Sequence, residues 1–72
     1  MTLIDLYNRT YDNCVFFKDK GNDAALLNEI GVLRGIVYCM EAVLGEENVH
    51  LAGDFAGWVK EQQRLKEELS KS

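Results

Sequence analysis

A seam of apolar residues runs through the middle of this 72-residue chain at intervals of three and four positions. Its members are Leu26, Ile30, Leu33, Val37, Met40 and Leu44. This spacing is that of one face of an α-helix, and the period-two alternation of a half-buried strand is absent. A second apolar stripe runs beside it and comprises Val32, Ile36, Cys39 and Val43. The helix is therefore apolar round most of its circumference and needs neighbours on more than one side.

Three helices are predicted in a single all-α domain that spans residues 1–72. They lie at about residues 2–19, 23–44 and 47–70. Thr2 is a good N-cap for the first helix, and Gly21 can end it in the left-handed conformation. Because only a short connection separates the first two helices, we predict that they form an antiparallel hairpin.

Two features of this prediction stay open. In the third predicted helix, apolar residues recur at helical spacing, but Gly53 interrupts them and Asp54 can cap a new helix. The third helix therefore either runs unbroken from about residue 47 or breaks near Gly53 and restarts. The β-branched pair Ile36 and Val37 also leaves a strand within residues 35–40, and with it an α+β fold, as an alternative.

A chain of this length needs a source of stability beyond its own core, because it buries only about 60% of the surface that its unfolded form exposes. A disulfide is not expected, since Cys14 and Cys39 lie roughly 16 Å apart along the predicted hairpin. Both cysteines are expected to be buried. His50 is the single histidine, and no metal-binding spacing accompanies it. Oligomerisation is the remaining source of stability, so we predict a homodimeric helical bundle.

The predicted interface of this dimer lies mainly on the second helix, with one aromatic residue from each of the other two. It comprises Leu26, Ile30, Gly31, Leu33, Arg34, Gly35, Val37, Tyr38, Phe17 and Trp58. Gly31 and Gly35 are predicted to let another helix approach closely, within the chain or between chains. Phe17 and Trp58 are either part of the core or part of an exposed patch that binds a partner.

Arg34 is the only basic residue between positions 23 and 54, and it lies within the most apolar helix. One interpretation is a surface arginine whose stem crosses apolar neighbours. The other is an ion pair with Glu41 or Asp12 across the subunit interface, because arginine is enriched among the residues that dominate interfaces.

The charge distribution limits the classes of partner. The net charge is −4, and residues 23–54 carry one basic residue against six acidic ones. Direct binding of nucleic acid requires a basic stripe that neutralises phosphates, and no segment provides one. The expected partners are a second copy of the chain and a larger protein with a basic surface.

Membrane insertion and catalysis are not expected either. The longest nearly apolar stretch, residues 30–44, covers 15 residues and contains Arg34, whereas a membrane helix needs about 20 residues. The first residues do not resemble a signal peptide, which predicts a cytoplasmic protein. The chain contains no catalytic motif, and we predict no enzyme activity, no cofactor and no metal.

These patterns predict a non-catalytic homo-oligomeric interaction module, a small regulator or inhibitor that binds a larger protein. One alternative is an acidic decoy that occupies the groove of a nucleic-acid-binding protein. A second is a minor structural subunit of a larger complex. A third is a carrier or enzyme with a small-molecule pocket between its helices.

Overall fold

The computed structural model describes residues 1–71, and this part of the chain contains helices and no strand. Helix α1 spans Leu3–Lys20, helix α2 spans Asp23–Leu44 and helix α3 spans Phe55–Ser70. A short 3₁₀ helix covers Glu46–Asn48. The all-α prediction is confirmed, and residues 35–40, for which a strand was the alternative, are helical.

Local sequence sets the ends of α1 and the start of α2. The Thr2 hydroxyl accepts a hydrogen bond from the Asp5 amide at 3.1 Å, and the Asp5 carboxylate accepts one from the Thr2 amide at 3.2 Å. This reciprocal pair satisfies two of the free amides at the helix start. At the other end, Gly21 adopts the left-handed conformation with φ 69°. Asn22 then caps α2 by accepting from the Ala25 amide.

The chain leaves the helical conformation over residues 49–54, between the 3₁₀ helix and α3. The Tyr7 hydroxyl donates to the Ala52 carbonyl at 2.7 Å, and the Asp54 amide donates to the Tyr11 hydroxyl at 2.9 Å. Gly53 has φ 78°, and a Cβ added there would overlap the Tyr11 ring. An unbroken helix from residue 47 is therefore absent: α3 begins at Phe55, after Gly53, and only the 3₁₀ helix at Glu46–Asn48 precedes it.

Helix α2 is the central element and packs against both α1 and α3. The first apolar stripe is the core: Leu26, Ile30, Leu33, Val37 and Met40 are each at most 2% exposed. Three residues from the other helices complete this cluster, and they are Tyr7, Cys14 and Leu65. The core therefore lies on one side of α2, and most of the opposite side stays exposed.

Candidate interaction surface on helix α2

The side of α2 that faces away from the core is exposed and carries no charge. All ten exposed residues from position 24 to position 44 are uncharged. They are Ala24, Asn28, Gly31, Val32, Gly35, Tyr38, Cys39, Ala42, Val43 and Leu44. Leu44 lies on the side of the first apolar stripe, at the end of the helix, and we call the other nine residues the outer face of α2. Charged and polar residues normally occupy the solvent side of a surface helix, and 28% of this chain is charged, so the absence of charge here needs an explanation.

The outer face has the spacing of a helix-packing seam. Five of its members recur at intervals of four and three positions, namely Asn28, Val32, Gly35, Cys39 and Ala42. This interval is the one at which two helices pack along their length. Helix α2 thus has two seams on opposite sides. The first is buried within the chain, and the second has no partner within it.

Small residues make the middle of the outer face flat. A Cβ added at Gly35 would have no neighbour within 4 Å, whereas one at Gly31 would lie 3.6 Å from Nε2 of Gln62. Val32 is 45% exposed and Val43 is 72% exposed. The surface is therefore a shallow track bordered by valines, along which the backbone of a second helix has room to approach closely.

Four of the predicted interface residues belong to the core instead. Leu26, Ile30, Leu33 and Val37 are buried within one chain, so they are not available to a second subunit. The prediction underestimated the cover that α3 supplies, since Gln62 and Leu65 of α3 are themselves buried. Val32, Cys39, Ala42 and Val43 are exposed on α2 but were not among the predicted interface residues, although the second apolar stripe contains three of them.

Arg34 connects α2 to α3 within the chain. Its Nη1 donates to Oε1 of Gln62 at 2.7 Å, and its Nη2 donates to the Tyr38 hydroxyl at 3.0 Å. Neither Glu41 nor Asp12 is among its partners in residues 1–71. Arg34 therefore positions α3 and the Tyr38 side chain, which itself lies on the outer face.

The two aromatic residues in the predicted interface lie at the edge of the core. Phe17 and Trp58 are partly buried and pack against the core residues. The Trp58 ring meets the Tyr11 ring edge-on at a centroid distance of 6.0 Å. The more exposed aromatic residue on α1 is Phe16, at 54%. Phe17 and Trp58 are thus committed mainly to packing within the chain.

The two cysteines lie in opposite environments, and neither forms a disulfide. Cys14 is buried, and removal from water together with the nearby Glu29 charge raises the pKa of its thiol to about 11. Cys39 is exposed on the outer face of α2, which corrects the expectation that it is buried. Its sequence neighbours are apolar, but the position of Cys39 on the helix turns it away from the core.

Two solvent-open grooves flank α3, and both are lined by a mixture of charged, polar and apolar groups. The groove between α2 and α3 has a volume of about 430 Å³. Its lining residues are Arg34, Gln62, Gln63, Lys66, Glu67 and Ser70. The groove between α1 and α3 is smaller, at about 220 Å³. Within residues 1–71, no group of three histidine, cysteine or acidic side chains is placed to hold a metal ion.

Glu61 anchors a small charge cluster between α1 and α3. Its carboxylate pairs with Lys18 at 3.3 Å and with Arg64 one turn along α3. The hydrogen bond from Arg64, supported by the charge of Lys18, lowers the pKa of Glu61. Arg64 also pairs with Glu68 at 2.7 Å, as the sequence spacing predicts. This cluster fastens α3 to the end of α1.

Comparisons with known proteins found no matching family model, no matching curated protein and no matching solved structure. None of the helices in residues 1–71 has both the length and the apolar character needed to cross a membrane. The functional proposal accordingly rests on the geometry of the outer face of α2.

Proposed function

We propose that this protein is a non-catalytic association module that forms a homodimer through the outer face of α2. The observation that carries this proposal is a face of nine exposed residues without a charge in an otherwise charge-rich chain. Burial of apolar surface stabilises an assembly by about 25 cal/mol per Å². In a two-fold dimer the same patch serves both subunits, so one uncharged face is sufficient for the interface.

The size and shape of the chain support a subunit that is covered along one long side. Its extents are 39 × 19 × 16 Å. Helix α2 is about 33 Å long at 1.5 Å per residue, so its outer face offers a contact along most of the long dimension.

Within each subunit we propose that α1 and α2 form an antiparallel hairpin, so that the dimer is a helical bundle. The two-residue connection from Lys20 to Asp23 supports this arrangement. The influence of the Glu29 charge on Cys14 supports it too, because these residues are seven and eight positions from Gly21. Helix α3 then lies along the hairpin and leaves the outer face of α2 free.

The proposed role of the dimer is to bind and regulate a larger protein. The net charge of −4 and the excess of acidic residues in positions 23–54 favour a partner with a basic surface. The two free cysteines fit a reducing compartment such as the cytoplasm. In this role the dimer interface supplies stability, and the acidic surface outside it supplies the contact with the partner.

An acidic decoy of a nucleic-acid-binding protein is the second candidate. The observation that favours it is the group of Glu41, Glu46 and Glu47 at the end of α2, which make no ion pair within residues 1–71. Binding by such a group depends on exposed charges, so added salt would weaken it strongly. Binding through an apolar surface would depend much less on salt.

The test of the homodimer is the substitution Val32→Asp. We expect the dimer to dissociate into monomers, because a carboxylate on the outer face would be buried without a partner. The fold is expected to survive, since Val32 is 45% exposed in a single chain. Sedimentation or light scattering at micromolar concentration measures the mass, and circular dichroism verifies the helices.

Val15→Asp is the matched control for Val32→Asp. Val15 lies on α1 and is 41% exposed, so the same change is made at similar exposure but away from the outer face. We expect Val15→Asp to remain a dimer. A wild-type protein that is monomeric across the micromolar range, or equal dissociation of the two variants, would contradict the proposed interface.

A further inference from the structure

We infer that the second copy packs with its α2 antiparallel to the first, about a two-fold axis perpendicular to the helices. This inference rests on the proposed function, because it specifies how two outer faces meet. It derives from two independent features of α2, the distribution of charge at its ends and the order of large and small residues along its seam.

The two ends of α2 differ in charge. At the carboxyl end, Glu41 is followed by Glu46 and Glu47, and the last turn contains no basic residue. The amino end adjoins the last turn of α1, where Lys18 and Lys20 lie. Asp19 and Asp23 balance these two lysines, so this end is close to neutral. The helix dipole adds partial positive charge at the amino end and partial negative charge at the carboxyl end.

Parallel packing of two α2 helices would bring both acidic ends together. Six carboxylates and two negative ends of helix dipoles would then lie at one end of the dimer. Antiparallel packing separates the acidic ends by about 30 Å, the length of the helix, whereas screening at physiological salt acts over about 8 Å. It also places each acidic end beside the amino end of the other α2. Charge therefore favours the antiparallel dimer.

The seam residues favour the same orientation. In a parallel pair, each residue of the seam meets its own copy, so that Val32 opposes Val32 and Gly35 opposes Gly35. The helices would be held apart at one layer and left with a gap at the next. In an antiparallel pair, Val32 opposes Gly35 or Ala42 of the second copy. A large residue then meets a small one in successive layers, and the helices approach evenly.

The experiment that tests the orientation measures distances between nitroxide spin labels at the two ends of α2. One variant combines Asp23→Cys with Cys39→Ser, and the other combines Glu47→Cys with Cys39→Ser. Cys14 is buried and its thiol pKa is raised to about 11, so it is not labelled at neutral pH. Because Cys39 lies on the outer face, the mass of the unlabelled Cys39→Ser protein is measured beside the wild type, and both labelled variants are compared with Cys39→Ser.

In the antiparallel dimer, labels at the same site lie on opposite sides of the two-fold axis. Each residue between the label and the axis adds about 3 Å to their separation, twice the 1.5 Å rise per residue, so we expect about 30–40 Å in each variant. Mixing the two variants should give a new short separation, because residue 23 of one copy lies near residue 47 of the other. Same-site separations below about 20 Å in both variants, as expected for neighbouring parallel helices, would overturn the antiparallel orientation and leave the dimer intact. A monomeric mass without dipolar coupling would overturn the dimer itself.

Discussion

At the scale of single residues, position on a helix determines what each side chain does. Cys14 and Cys39 both have apolar sequence neighbours, yet Cys14 is buried against α2 and Cys39 faces solvent. Arg34 is similar, since its stem lies on the apolar helix but its guanidinium reaches Gln62 of α3. In each case the direction of the side chain, rather than its neighbours in sequence, sets its surroundings.

The buried thiol of Cys14 predicts a dependence of stability on pH. Burial raises its pKa from the ordinary value of 9.0 to about 11, so the folded protein holds the proton more tightly than the unfolded chain. The free energy of unfolding should therefore fall as the pH rises from about 9 to about 11, by up to roughly 2 kcal/mol. Urea denaturation of wild type and Cys14→Ala at several pH values measures this fall, which should be larger in the wild type, because burial also raises the pKa of Tyr7 and that effect is common to both proteins. A constant difference between the two proteins would contradict it.

At the scale of elements, α1 determines where α3 begins. Tyr7 and Tyr11 are one helical turn apart, and their hydroxyls bond the backbone of the loop at Ala52 and Asp54. Asp54 then caps α3 by accepting from the Gly57 amide at 2.9 Å. The break before α3 is thus a tertiary feature that the tyrosines stabilise, and the cap follows from the local sequence.

Removal of the two tyrosine hydroxyls should have unequal effects. Tyr7 is buried and its hydroxyl makes a part-buried hydrogen bond to Ala52, so we expect Tyr7→Phe to lose about 1–2 kcal/mol in the free energy of unfolding. Tyr11→Phe is the matched control, because the Asp54 amide is exposed and water replaces the lost acceptor. Its cost should be below about 1 kcal/mol. Urea denaturation compares the free energies of unfolding of the two variants. Equal losses would show that the Tyr7 hydrogen bond stabilises the fold no more than the Tyr11 hydrogen bond.

At the scale of the whole molecule, α2 has two packing seams, and one chain covers only one of them. Helices α1 and α3 bury the seam that contains Leu33. The opposite seam, which contains Gly35, stays exposed along most of α2. The association of two copies would give every seam in the molecule a partner, which is why the proposed dimer is the simplest completion of this fold.

The substitution Gly35→Leu separates the stability of one chain from the association of two. Leucine favours the helix over glycine by about 0.8 kcal/mol, and the site has open space within the chain, so unfolding of the monomer should become harder. The dimer should weaken, because the new side chain prevents close approach of a second helix. Chemical denaturation at low concentration and sedimentation at high concentration measure the two effects. Unchanged self-association would show that the helices do not meet at Gly35.

Much of the fold could be predicted from the sequence, and less of the candidate site. The three helices follow from apolar periodicity, and Thr2, Gly21 and Asp54 act at helix ends as their residue types predict. The exposed surface was harder to predict, because both apolar stripes of α2 are equally suited to burial. The choice between them depended on the cover from both α1 and α3, which contribute Tyr7, Cys14 and Leu65 to the core.

The sequence by itself determined that this chain is all-helical and that α2 is apolar round most of its circumference. These properties are local, since periodicity and capping act within a few residues. Only the tertiary structure decided which stripe of α2 is core, where Arg34 finds its partners and which cysteine is exposed. Those outcomes depend on contacts between residues far apart in sequence, such as Arg34 with Gln62 and Tyr7 with Ala52, and packing rather than local preference selects them.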